Sequence, residues 1–169
     1  MNNVKFFDYS QNVKGAMEQA AIAWLHEVAG EIKSQTQRNT RVDSSQLKNN
    51  WDYKVDKANF TALIGSPLEN AICEEFGTGE HALGGKGRQT PWFVPVDGYT
   101  GKRRPTYNGK VVIVHGKNKK KYYMTNGKKP NRAFWDAYTK TKPKAEKRAK
   151  AIFKSELKYY DTRESKIYQ

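Results

Sequence analysis

The sequence is poor in the residues from which active sites and covalent cross-links are usually built. It holds a single cysteine, Cys73, so neither an intrachain disulfide nor a cysteine-based zinc site can form. Apolar runs are short as well. None approaches the roughly 20 residues that a membrane span needs, and the opening MNNVKFFDYS has no apolar stretch of the secretory kind. A protein that stays in the cytoplasm where it is made is the expectation. The three histidines, His26, His81 and His115, are scattered and show neither an HExxH pattern nor any other paired spacing. No catalytic residue, no metal and no cofactor is therefore expected, and the chain does not read as an enzyme.

Acidic residues are also scarce, but only in the second half. Residues 1–80 carry 8 Lys and Arg against 11 Asp and Glu, a net of −3, whereas residues 81–169 carry 23 against 6, a net of +17. Such a two-ended chain suits a polyanion or an acidic protein surface on one side and a basic surface on the other. A lysine-rich surface that simply keeps the protein in solution gives the same composition. Lysine outnumbers arginine 23 to 8, which leans away from bidentate, sequence-specific readout.

At 169 residues and a mean hydropathy of -0.93, one compact domain with a thin core and long polar excursions is expected over residues 1–169, its core about 12–158. Val13, Met17, Ala21, Trp24, Val28 and Ile32 recur at three- and four-residue steps, which predicts a helix over about 12–38. Asp43, Ser44 or Ser45 can cap a short helical turn through Leu47. Trp51, Tyr53 and Val55, then Phe60, Ala62 and Ile64, alternate as in a β-hairpin. Leu68, Ala71, Ile72 and Phe76 give a short amphipathic helix that Gly77 ends with a positive φ. Residues 80–90 and 99–109 read as mobile loops rich in glycine or basic residues. Strands are expected at 92–96, 111–114 and 122–124, the last two paired. Asn131 can cap a helix carrying Phe134, Ala137 and Tyr138, kinked or restarted at Pro143 and continued by Ala145, Ala149, Ile152 or Phe153, and Leu157. The end, 159–169, reads as a fraying C-terminal arm. The fold class is thus α+β, a small antiparallel sheet against two helices.

Few side chains invite chemistry. Cys73, on or beside the apolar face of its helix, reads as a small buried hydrophobe. Glu74 and Glu75 diverge by about 100° around a helix, which suits surface or interface charge better than an acid/base pair. The loop GGKGRQT lacks the phosphate-loop spacing. The hairpin tip KNKKK with Tyr122 and Tyr123 can meet phosphates and stack on bases, or can simply be a solvated turn.

Taken in order, the long helix, D-S-S-Q-L leading into W-D-Y-K-V, the helix ending E-E-F-G-T-G, the glycine-rich loop, the aromatic-proline strand and the K-P-N-R-A-F-W-D-A-Y helix resemble the head-tail joining and tail-completion proteins of long-tailed bacteriophages. In that family the stretch at 43–47 is typically D-T-G-x-L; here Ser44 and Ser45 stand in place of Thr-Gly. The apolar-x-E-x-G-T pattern at 72–79 is the stronger signature, and the resemblance spans about 13–157. It implies a virion structural protein of the neck that forms a homo-oligomeric ring between head connector and tail, with connector and tail proteins as partners. Opposite charge on the two halves could steer subunit contact. On this reading Glu74, Glu75, Phe76, Gly77, Thr78 and Gly79 contribute to a subunit interface, while Lys119, Lys120, Lys121, Arg103 and Arg104 meet an acidic partner or DNA in the channel. A basic, non-sequence-specific nucleic-acid-binding protein is the alternative, and a small nuclease using His81 or His115 ranks last.

Overall fold

The computed structural model describes residues 8–42, 45–99, 101, 104–105, 112–117 and 120–167. The fold is α+β, in the order α1 (Ser10–Asn39), α2 (Gln46–Asn49), β1 (Asp52–Asp56), β2 (Thr61–Gly65), α3 (Asn70–Phe76), β3 (Trp92–Pro95), β4 (Ile113–His115), β5 (Lys121–Thr125) and α4 (Ala133–Ile167). Where a single sheet is expected, the described residues form two, one of two strands and one of three. The chain splits into two compact units, Met1–Ile32 with Tyr53–Ile64 and Tyr138–Gln169, and Lys33–Asp52 with Gly65–Ala137.

The first unit is built on the N-terminal part of α1 and most of α4. Ile32 is buried as its periodicity predicts, and Val13, Met17, Ala21, Trp24 and Val28 are half-buried. Along α4 the buried positions Ala133, Ala137, Thr141 and Ala145 recur every four residues and are all small, a spacing that keeps them on one face. Within this unit the Trp24 indole donates to the backbone carbonyl of Ala145 at 3.1 Å. Pro143 lies inside α4 rather than at the start of a new helix, and the helix continues to Ile167, through most of the segment expected to be an arm. Leu157, expected on the apolar stripe, is exposed.

β1 and β2 form the two-stranded sheet. Asp56 shapes the turn between them, accepting from the amides of Ala58 and Asn59 and from the Asn59 side chain at 2.8 Å. These bonds, the Asn59 side chain first, hold the Asp56 carboxyl below its ordinary value. Tyr53, Val55, Ala62 and Ile64 alternate with exposed neighbours as expected. Phe60 does not join them: it sits in the turn at φ 49, exposed, because four residues must reverse the chain and one takes the left-handed conformation.

In the second unit Leu47, Trp51 and Ala71 form the core, with Leu68 and Phe134 packed on it. The Trp51 and Phe134 rings stack at 6.2 Å, and the Trp51 indole donates to the Thr40 hydroxyl at 3.0 Å, which itself donates to the Thr36 carbonyl. Ser45 precedes α2 in the left-handed conformation and makes no side-chain cap bond; Asp43 and Ser44 lie outside the described residues. The three-stranded sheet has the order β3-β5-β4 and is antiparallel throughout, with Phe93 opposite Met124, and Tyr122 opposite both Pro95 and Val114. β3 is an edge strand, where its terminal Pro95 removes no ladder bond. The strand expected at 111–114 is β4, shifted to Ile113–His115; residue 111 lies outside the described residues.

Candidate functional site

Helix α3 and the turn after it, Glu74 to Gly79, are placed by polar contacts inside the second unit. The face of α3 that turns inward is Ala71, Glu74 and Glu75, and the outward face is Ile72, Cys73 and Phe76. The expected assignment is therefore reversed at three points. Cys73 is exposed rather than buried, Ile72 and Phe76 are 66% and 54% exposed, and Glu74 and Glu75, read as surface or interface charge, are buried within the unit, 3% and 8% exposed.

A buried carboxylate is tolerated only when its charge is compensated, and each glutamate has its own solution. Glu74 lies 2.9 Å from the Arg41 guanidinium and is paired with the Lys128 ammonium. Its Oε1 faces Arg41 as an ion pair of proximity, without an aligned hydrogen bond. Glu75 accepts from the backbone amides of Phe134 and Trp135 at 2.9 and 2.8 Å. Those amides belong to the first turn of α4, whose N–H groups have no partner within the helix and whose dipole favours negative charge. Glu75, some sixty residues upstream, thus caps the helix that Asn131 is expected to cap. Asn131 instead docks its backbone N–H on the Glu74 carbonyl at 2.7 Å and donates its side-chain amide to the Asn39 carbonyl.

Beyond Phe76 the chain turns on glycine. Gly77 has φ 74 and Gly79 φ 61, and a Cβ on Gly79 would lie 2.0 Å from the Asn126 carbonyl oxygen, so no other residue fits there without moving backbone. The amides of Thr78 and Glu80 donate to the carbonyls of Lys128 and Asn126. A single 3-10 turn, Gly79–His81, follows, and the Leu83 amide returns to the Phe76 carbonyl at 2.8 Å. The first half of the loop expected at 80–90 is thereby tied down.

Of the expected basic contact residues, Arg104, Lys120 and Lys121 are exposed, and Lys119 and Arg103 lie outside the described residues. Arg104 and Thr78, taken from the two expected groups, meet at a cleft of about 580 Å³ that Arg41, Lys128, Trp92 and Tyr99 also line. Lys120 and Lys121 do not line it; they stand where β5 begins. Arg41 and Lys128 are missed by sequence reasoning, and the only signal for them is indirect: two adjacent glutamates in an apolar segment need cations from elsewhere.

A different face carries apolar side chains, of which Phe93 is exposed and Val114, Tyr122 and Met124 are half-buried. Phe93, Val114, Tyr122 and Met124 lie on one side of the three-stranded sheet by their register. Phe93 lines a shallow depression of about 280 Å³ with Val114, Gly116 and Tyr122. For the histidines, His81 Nε2 is 3.6 Å from the Glu80 carboxylate, His26 packs edge-on against Tyr53 at 5.9 Å, and His115 is exposed on β4. Among the described residues no three His, Cys, Asp or Glu side chains cluster as metal ligands, and no helix is long and apolar enough to cross a membrane.

Residues 5–77 match the family model described as Bacteriophage HK97-gp10, putative tail-component. The matched stretch begins before α1 and ends at the glycine that closes α3, so it takes in D-S-S-Q-L, W-D-Y-K-V and E-E-F-G. It agrees with the resemblance that the sequence motifs carry, and the K-P-N-R-A-F-W-D-A-Y helix lies beyond it. No curated protein and no solved structure matches the chain.

Proposed function

We propose that the chain is a structural protein of a long-tailed bacteriophage virion, and that it serves in the neck or tail-completion region as one subunit of a homo-oligomeric ring joining head connector to tail. The match of residues 5–77 to a family described as a tail component carries this reading. A ring closed by head-to-tail contacts needs two different surfaces on each subunit. The outward face of α3, with Ile72, Phe76 and the Gly77 to Gly79 turn, supplies one of them; Glu74 and Glu75 act from beneath by holding that turn in place. The apolar face of the sheet, with Phe93, Val114, Tyr122 and Met124, supplies the other. Exposed apolar patches of this kind mark interaction sites more often than scattered single residues do. The partners are other copies of the chain and the neighbouring connector and tail proteins, with Arg104, Lys120 and Lys121 facing an acidic partner or DNA in the channel. Such a part has no catalytic task, is built in the host cytoplasm and ends in the virion.

The test is the mass of the purified chain by light scattering, alone and with the neck proteins of its phage. Discrete multimers are expected, and Phe76→Glu and Phe93→Glu should each reduce them to monomer while leaving the circular dichroism spectrum unchanged. A chain that stays monomeric in both settings overturns the ring.

A further inference from the structure

Two sets stand out among the cations of α4, while Lys150, also exposed, lies outside both. Lys142 reaches Glu146 at 4.0 Å, and Arg148 is paired with Glu27 and Glu31. Lys140, Lys144, Lys147 and Lys154 are all exposed and make no ion pair among the described residues. At 100° per residue these four lie within about 80° of one another around the helix axis, and at 1.5 Å per residue they span about 21 Å. Lys158 continues the same line one turn further. The buried residues beside them, Thr141 and Ala145, point away from it. The nearest acid in this arc is Asp136, at the N-terminal end; Glu146 lies to one side.

We propose that this lysine stripe binds the phosphate backbone of a nucleic-acid duplex without sequence preference. The proposal goes beyond the virion reading and does not rest on it. Four like charges in one row, without an ion pair among the described residues, repel each other, and a partner that carries a regular row of anions relieves that repulsion. Duplex backbones carry such a row, with about one charge per 1.7 Å of helix axis. An acidic protein surface fits less well, because the cores of protein interfaces are depleted in lysine and rely on aromatic or arginine anchors. In this arc the lysines flank only Ala151 and no aromatic side chain. Lysine in place of arginine also suits contact with charge rather than bidentate readout.

The experiment measures fluorescence anisotropy of a mixed-sequence duplex of about 20 base pairs with the full chain across a salt series. The chain is compared with a variant carrying Gln at Lys140, Lys144, Lys147 and Lys154. The slope of log K against log salt should become shallower by about 3.6, roughly 0.9 for each phosphate that is no longer neutralised. A control with Gln at Lys54, Lys57, Lys86 and Lys129 removes the same charge elsewhere and should change the slope far less. Arg at the four α4 positions should bind like the unaltered chain. Equal losses in the two Gln variants, or no binding by the unaltered chain at low salt, overturn the proposal. So does a poly-glutamate peptide that loses affinity for the α4 variant when the duplex does not, which would assign the stripe to an acidic protein. None of these readings depends on whether the chain forms rings.

Discussion

In the unit made of Lys33–Asp52 and Gly65–Ala137, charge is used inside: Glu74 and Glu75 are buried and reach Arg41, Lys128 and the first turn of α4. In the other unit charge stays at the surface. Arg148 meets Glu27 and Glu31 where its side chain is 38% exposed, Asp56 organises an exposed turn, and the buried positions are taken by Ile32 and by small residues such as Ala29, Thr141 and Ala145. The contrast teaches where each unit is vulnerable. A charge in water gains little from a partner, since exposed pairs contribute about 0–1 kcal/mol. A buried one stripped of its partner costs about 3–5 kcal/mol. The same residue types thus specify one unit and merely decorate the other.

The contrast is most open to refutation at Glu74. Replacing Arg41 and Lys128 together with alanine leaves that carboxylate buried and uncompensated, and chemical denaturation at neutral pH should show a loss of about 3–5 kcal/mol. A loss below about 1 kcal/mol would mean that the carboxylate reaches water and the contrast is false. Next comes Glu75→Ala, which strips two first-turn amides of their acceptor; a loss of about 2 kcal/mol is expected, at the upper end of the range for a helix cap. In the first unit, Trp24→Phe keeps an aromatic ring and removes the hydrogen bond to Ala145, so about 1 kcal/mol should be lost in the same assay.

The smallest effect belongs to Asp56. Its carboxyl is held below the ordinary value in the folded chain, so its contribution is present above the unfolded carboxyl range and disappears as pH falls through the lowered folded value. Asp56→Asn should leave Tm nearly unchanged in acid and lower it slightly at neutral pH. A Tm difference independent of pH would show that the turn does not depend on the charge.

Much of the fold was legible because it rests on local periodicity. α1 needed only the three- and four-residue recurrence of its apolar side chains, and the hairpin at 52–65 only alternation and a polar turn. The same rule misread α3. Two faces of that helix have helical spacing, one apolar through Ile72 and Phe76 and one through Ala71, Glu74 and Glu75, and periodicity cannot choose between them when a buried acid finds cations far along the chain. Asn131 failed as a cap for the same reason, since Glu75 competes for the same amides. The lysine row of α4 was visible as composition, but its alignment required the helix to run unbroken past Pro143.

By itself the sequence determined the α+β class, the long first helix, the glycine-dependent turn at 77–79, the basic second half and the resemblance to phage tail components. These follow from spacing, from φ preferences and from charge, all of which act over a few residues or over the whole chain at once. Only the tertiary structure decided which face of α3 points inward, what compensates Glu74, which group caps α4 and that the strands divide into two sheets. Each of these depends on a partner separated by tens of residues, and the desolvation of a charge is settled only when that partner arrives.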